Sequence, residues 1–182
     1  VVENLENSNP SVRLRAVMAT GTTPDPRFVD TLVERCASEP DFQVREALTW
    51  SLTRHPAVLT VPRLVDELRS ERAQARSQAL HTLSKIGDRP AITRELLADA
   101  DDEVARSAWR AAVVLVPDDE KAELVAVLAT QFGREVRKSL SRALVALGEV
   151  ITPTLRAAMT DPDPGVREHA IDTERLWRRA DR

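Results

Sequence analysis

The chain has 182 residues, is 42% hydrophobic and 3% aromatic, and carries a formal net charge of −3. That length supports a substantial core, but with no tyrosine the core must be aliphatic, which disfavours a ligand cavity walled by rings. The acidic balance argues against a general nucleic-acid binder, and the single Cys36 excludes an intramolecular disulfide.

One helical phrase organises the sequence. It begins at Val12-Arg13-Leu14-Arg15-Ala16 and returns at Val44-Arg45, Ala75-Arg76, Val104-Ala105-Arg106, Val136-Arg137 and Val166-Arg167. Six occurrences about 30 residues apart mark a repeat architecture, in which a unit buries its apolar face only against its neighbours. Counted from each anchor valine or alanine as zero, small or apolar residues fall mostly at +4, +7, +8 and +11, as in Leu140, Ala143, Leu144 and Leu147. These offsets crowd one side of a helix, here called helix B. Amphipathic stretches upstream predict partner helices (helix A) near 26–37, 59–69, 90–98, 118–131 and 150–160. No segment alternates as a strand would.

Punctuation fits these elements. Asn9-Pro10-Ser11, Glu39-Pro40-Asp41 and Asp161-Pro162-Asp163-Pro164-Gly165 precede B helices, with capping side chains and first-turn prolines. Gly87 and Gly148 stand at +12, where a left-handed residue ends a helix. The links Gly87-Asp88-Arg89-Pro90 and Gly133-Arg134-Glu135 are short enough to suggest missing loop residues. No apolar run reaches the roughly 18 residues of a membrane span, and no leader opens the chain at Val1, so a cytoplasmic location is expected. The absence of an initial methionine suggests an upstream domain or a trimmed terminus.

The runs Asp161-Pro162-Asp163-Pro164-Gly165-Val166-Arg167-Glu168-His169-Ala170 and Val136-Arg137 through Leu147-Gly148 resemble HEAT repeats of the short type also seen in bilin-lyase-like proteins. The resemblance spans nearly the whole chain. It implies an all-α, right-handed α–α superhelix of about six helix pairs, forming one domain over 1–182. It also implies a non-enzymatic scaffold that binds a protein on a concave helix-B face. In such folds the +1 arginines (Arg13, Arg45, Arg76, Arg137, Arg167) usually span to an acid or carbonyl on the neighbouring repeat; the alternative is a cationic ladder open to a partner.

Outward positions are expected at +2, +6 and +9. They assemble an apolar stretch (Leu14, Met18, Trp50), then His81, a basic cluster (Arg106, Arg110, Lys138, Arg142) and an acidic end (Glu168, Asp172). The six B segments hold 14 basic and 6 acidic residues and the remainder 12 and 23, so the B face is the more basic one. The expected partner is a protein with an acidic segment, for which Met18, Trp50, His81, Arg106, Arg110, Lys138 and Arg142 are the candidate contacts. Trp50 is either an exposed anchor or partly buried between B helices; Trp109 and Trp177 lean towards packing.

Catalysis and cofactors are not expected. His55, His81 and His169 lie at unrelated offsets without metal-ligand spacing, and Cys36 sits on the apolar side of a helix. The alternative function is nucleic-acid binding, as in the HEAT-like alkylpurine DNA glycosylases, which share only the repeat architecture. A bilin lyase would need a pocket for which one cysteine and few aromatics are a poor basis.

Overall fold

The computed structural model describes residues 1–87 and 92–180, and every regular element among them is helical. The chain forms two compact units, Val1–Ala91 and Ile92–Arg182. Each contains three of the six repeated phrases.

In the first unit the B helices are α1 (Pro10–Thr22), α3 (Phe42–Arg54) and α5 (Ala73–Ile86), packed in succession. Helices α2 (Val29–Cys36) and α4 (Ala57–Glu67) form the other layer. Ahead of α1 a 3₁₀ turn, Val2–Glu6, packs on that helix and buries Leu5. The second unit repeats the plan. Its B helices are α7 (Asp102–Leu115), α9 (Arg137–Ala146) and α11 (Pro164–Ala180). The A layer is α6 (Arg94–Leu97), α8 (Lys121–Ala129) and α10 (Thr152–Ala158).

The anticipated helix starts hold. Asn9 Oδ1 accepts from Ser11 N at 2.9 Å, Asp41 from Val44 N at 3.1 Å, and Asp163 from Gly165 N at 2.7 Å. Each satisfies an amide that the first helical turn leaves without a partner. Gly87 (φ +77°) and Gly148 (φ +84°) take the left-handed conformation expected just past their helices. The helix anticipated over 90–98 is shorter, with regular structure at Arg94–Leu97, and residues 88–91 lie outside the described residues. The short Gly87–Pro90 link falls largely there too. The other short link is a built turn: Gly133 has φ +88° and Arg134 reaches back into the preceding repeat.

The core follows the predicted offsets closely. Ala16, Leu48, Ala79, Ala108, Leu140 and Ala170 at +4 are all buried, as are Leu52, Leu83 and Leu144 at +8. Alanine dominates +4 because helices 8–10 Å apart leave little room where their axes approach. Position +5, which the amphipathic pattern left aside, is buried as well at Val17, Thr49, Leu80, Trp109 and Ser141. A helix flanked by B helices and backed by an A helix buries more than one stripe.

Candidate functional site

The +1 arginines are anchored, and the geometry differs from expectation in one respect. Arg13 Nη1 donates to the carbonyls of Asn7 (2.8 Å) and Ser8 (3.1 Å), and Arg45 to Glu39 and Pro40 (3.1 and 2.7 Å). Arg76 does the same to Ser70 and Glu71, and Arg167 to Asp161 and Pro162. In all four the acceptors lie six and five residues back, in the link of the arginine's own repeat rather than in the neighbour. Helical side chains lean towards the N-terminus, so the guanidinium meets carbonyls left unpaired where the preceding segment ends. In the fourth repeat +1 is Ala105, and the equivalent carbonyl, Asp99 O, is taken by Arg134 from the next repeat. Arg134 also binds Asp102 at 2.9 Å and lies over the Trp109 ring. The +1 arginines therefore fasten links, with Arg137 an exception that pairs with Glu168 of the next repeat at 3.6 Å.

Arg13 does a second job. Its Nε and Nη2 donate to both oxygens of the fully buried Glu39 at 2.9 and 2.8 Å, joining the first repeat to the second. Glu39 also accepts from Arg35 Nε and from Asp41 N, each at 2.9 Å. Burial alone would raise its carboxyl pKa, but the donors from Arg13, Asp41 and Arg35 outweigh it and hold the group below the usual carboxylate range.

Buried hydroxyls stitch adjacent B helices. Thr20 meets Ser51 at 2.9 Å, Thr49 meets Thr82 at 2.9 Å, and Ser141 meets Thr173 at 2.7 Å. Gln78 adds a bond to Thr49 Oγ1 at 2.8 Å. Sequence reasoning missed these pairs, although Ser or Thr at +7 in the second, third and sixth repeats is a visible signal. It also missed His169, fully buried at the junction of α11, α9 and the Gly133 turn. His169 Nδ1 accepts from Gly133 N at 3.2 Å and Nε2 lies 2.9 Å from Arg137 O, so Nε2 carries the proton. Phe132 packs edge-on against the ring at 4.9 Å, and burial depresses the imidazole's pKa.

The predicted contact residues divide between the units. In the first, Met18 (42% exposed) and Trp50 (37% exposed) stand on α1 and α3, with the Trp50 ring seated over Gly21 of α1. Trp50 thus meets both descriptions: it packs between B helices and keeps one side open. His81 on α5 is half-buried, its Nε2 3.0 Å from Glu46 Oε1 on α3. In the second unit Arg110, Lys138 and Arg142 are exposed. Among the described residues none of the three forms an ion pair. Arg106 is half-buried and bound to Glu103 of its own helix. The acids beyond them are engaged, Glu168 with Arg137 and Asp172 with Arg175. One exposed neighbour was not foreseen: Val114, 68% exposed, one turn past Arg110 on α7. Of the outward offsets, +6 is open in all but the half-buried His81, whereas Gly21 at +9 is closed over by Trp50.

Trp109 is a packing residue, fully buried with Nε1 donating to Leu97 O at 2.8 Å. Cys36 is 4% exposed, and burial pushes its thiol up to about 12, a site unsuited to nucleophilic chemistry. Among the described residues no group of three potential ligands gathers to hold a metal, and no helix is long and apolar enough to cross a membrane.

A family model of HEAT repeats matches residues 1–53. Among solved structures the chain is similar to an engineered protein at 19% identity and TM-score 0.47, covering 98% of this chain and 95% of that one. A second engineered protein shares 16% identity at TM-score 0.48, covering 94% of both chains. A designed armadillo repeat protein shares 14% at TM-score 0.45, covering 97% of this chain and 98% of that one. No curated protein matches it. The matched segment carries the first two repeated phrases, and the same helix pair, capped link and buried +4 row recur through the second unit. Residues 1–53 thus match HEAT repeats, and the described residues as a whole form an all-helical repeat fold.

Proposed function

We propose that the protein is a non-enzymatic interaction module that receives an acidic segment of a protein partner on the outward face of its B helices. The observation that carries this is the state of Arg110, Lys138 and Arg142: exposed, on adjacent helices, and without carboxylate partners among the described residues, in a chain of net charge −3. Exposed ion pairs contribute little to stability, so three unneutralised cations side by side are better explained by what they attract from outside. In the first unit Trp50 and Met18 offer a separate apolar contact of the kind that anchors interfaces. The buried, lone Cys36 suits a cytoplasmic setting.

The same cations favour a second reading, contact with a nucleic-acid backbone. Pull-down from native lysate separates the two, using wild type beside Arg110→Glu, Arg142→Glu, with and without nuclease. A protein retained only by wild type, regardless of nuclease, supports the scaffold. Recovery of nucleic acid, with binding that weakens steeply with salt, replaces it with the second reading.

A further inference from the structure

We infer that the α7–α9 face binds an extended peptide with the spacing apolar-x-acidic-x-acidic, its apolar residue resting on Val114. This rests on the proposed scaffold function and specifies the partner at the same face.

Arg110 and Arg142 occupy the same repeat offset on neighbouring helices, as do Arg106 and Lys138 one turn nearer the helix starts. Packed helix axes lie about 8–10 Å apart, so the cations form two columns flanking the shallow track between α7 and α9. Along each column, four residues at 1.5 Å apiece give a repeat of about 6 Å. Alternate side chains of an extended chain recur about every 6.6 Å. A peptide lying in the track therefore presents every second residue in step with Val114, then the Arg110–Arg142 pair, then Lys138 with Arg106. The Glu103 partner of Arg106 is exposed and on the same helix, an arrangement an incoming carboxylate can displace at small cost.

The apolar anchor sets the other end. Val114 is the one exposed large hydrophobic residue among the described residues of this unit. An amphipathic helical partner needs a stripe of three or four apolar contacts, which this face does not supply. One apolar contact with carboxylates stepping away from it is what an extended acidic segment provides. The helix N-termini also lie towards the acidic end, where their dipoles favour negative charge.

The test is fluorescence anisotropy with the full chain and two labelled peptides of identical composition. ESESLSESE offers the spacing in either chain direction, and LSSSSEEEE offers the same charge without it. Binding of the first at least tenfold tighter is expected, with Val114→Ser erasing the margin and Arg142→Glu weakening both. Equal binding of the two peptides, a margin that survives Val114→Ser, or no binding of either overturns the spacing. Partner capture lost in Arg110→Glu, Arg142→Glu would still stand in any of those cases, so the two proposals fail separately.

Discussion

The benzo ring of Trp50 fills the space that a side chain on Gly21 would need: a Cβ there would fall 2.3 Å from Cζ3 and 2.8 Å from Cε3. Gly21 lies within α1, so its lack of a side chain, rather than an unusual backbone angle, is what the fold uses.

Gly21→Ala should therefore displace the partly exposed indole instead of unfolding the unit. Better helix propensity, worth up to about 1 kcal/mol, offsets part of the lost packing. Near-UV circular dichroism should change while the urea midpoint moves little. In a Trp50→Ala background the same substitution should become neutral or stabilising, and equal effects in both backgrounds would refute the contact.

Glu39 carries a sharper penalty. Removing it strands Arg13 and the half-buried Arg35 facing one another, and breaking a buried pair costs about 3–5 kcal/mol. Glu39→Ala should lower the denaturant midpoint accordingly, and a loss below about 1 kcal/mol would contradict this geometry. Because the folded carboxyl pKa lies below its unfolded value, the stabilisation is complete above the unfolded pKa and disappears as pH falls through the folded one.

His169 also loses stabilisation as pH falls, but over a higher pH window. Burial holds the folded imidazole below its ordinary pKa of 6.5; the hydrogen bond to the Arg137 carbonyl opposes it, the Arg137 charge adds to it, and the Asp172 charge opposes it. As pH falls through 6.5 the unfolded chain takes a proton that the folded chain resists, so stability drops until the folded pKa is reached. Urea midpoints at pH 7.5 and 5.5 should differ more for wild type than for His169→Gln, whose amide can both donate and accept. Identical pH dependence in the two proteins would show that His169 is not resisting protonation.

Leu144, at +8 on α9, is 1% exposed. Leu144→Ala should cost roughly 2–5 kcal/mol through lost burial and the cavity left behind. A neutral result by chemical denaturation would place the buried face of α9 elsewhere.

The order of helices, the +4 and +8 core, the caps at Asn9, Asp41 and Asp163 and the left-handed Gly87 and Gly148 were legible in the sequence. Each follows from local backbone demands or helical periodicity, which one strand of text contains. The outward +6 positions were legible for the same reason, since a residue opposite a buried stripe faces solvent. What periodicity cannot supply is which group lies across a helix interface. The attachment of Arg45, Arg76 and Arg167 to their own links, the clamp of Arg13 on Glu39, the hydroxyl pairs and the seat of Trp50 on Gly21 depend on how repeats dock. So does the status of Arg110, Lys138 and Arg142. Sequence marks them as charged and outward, but only packing decides which neighbouring carboxylates come within reach, because pairing is set by distances of a few ångströms between residues some 30 positions apart.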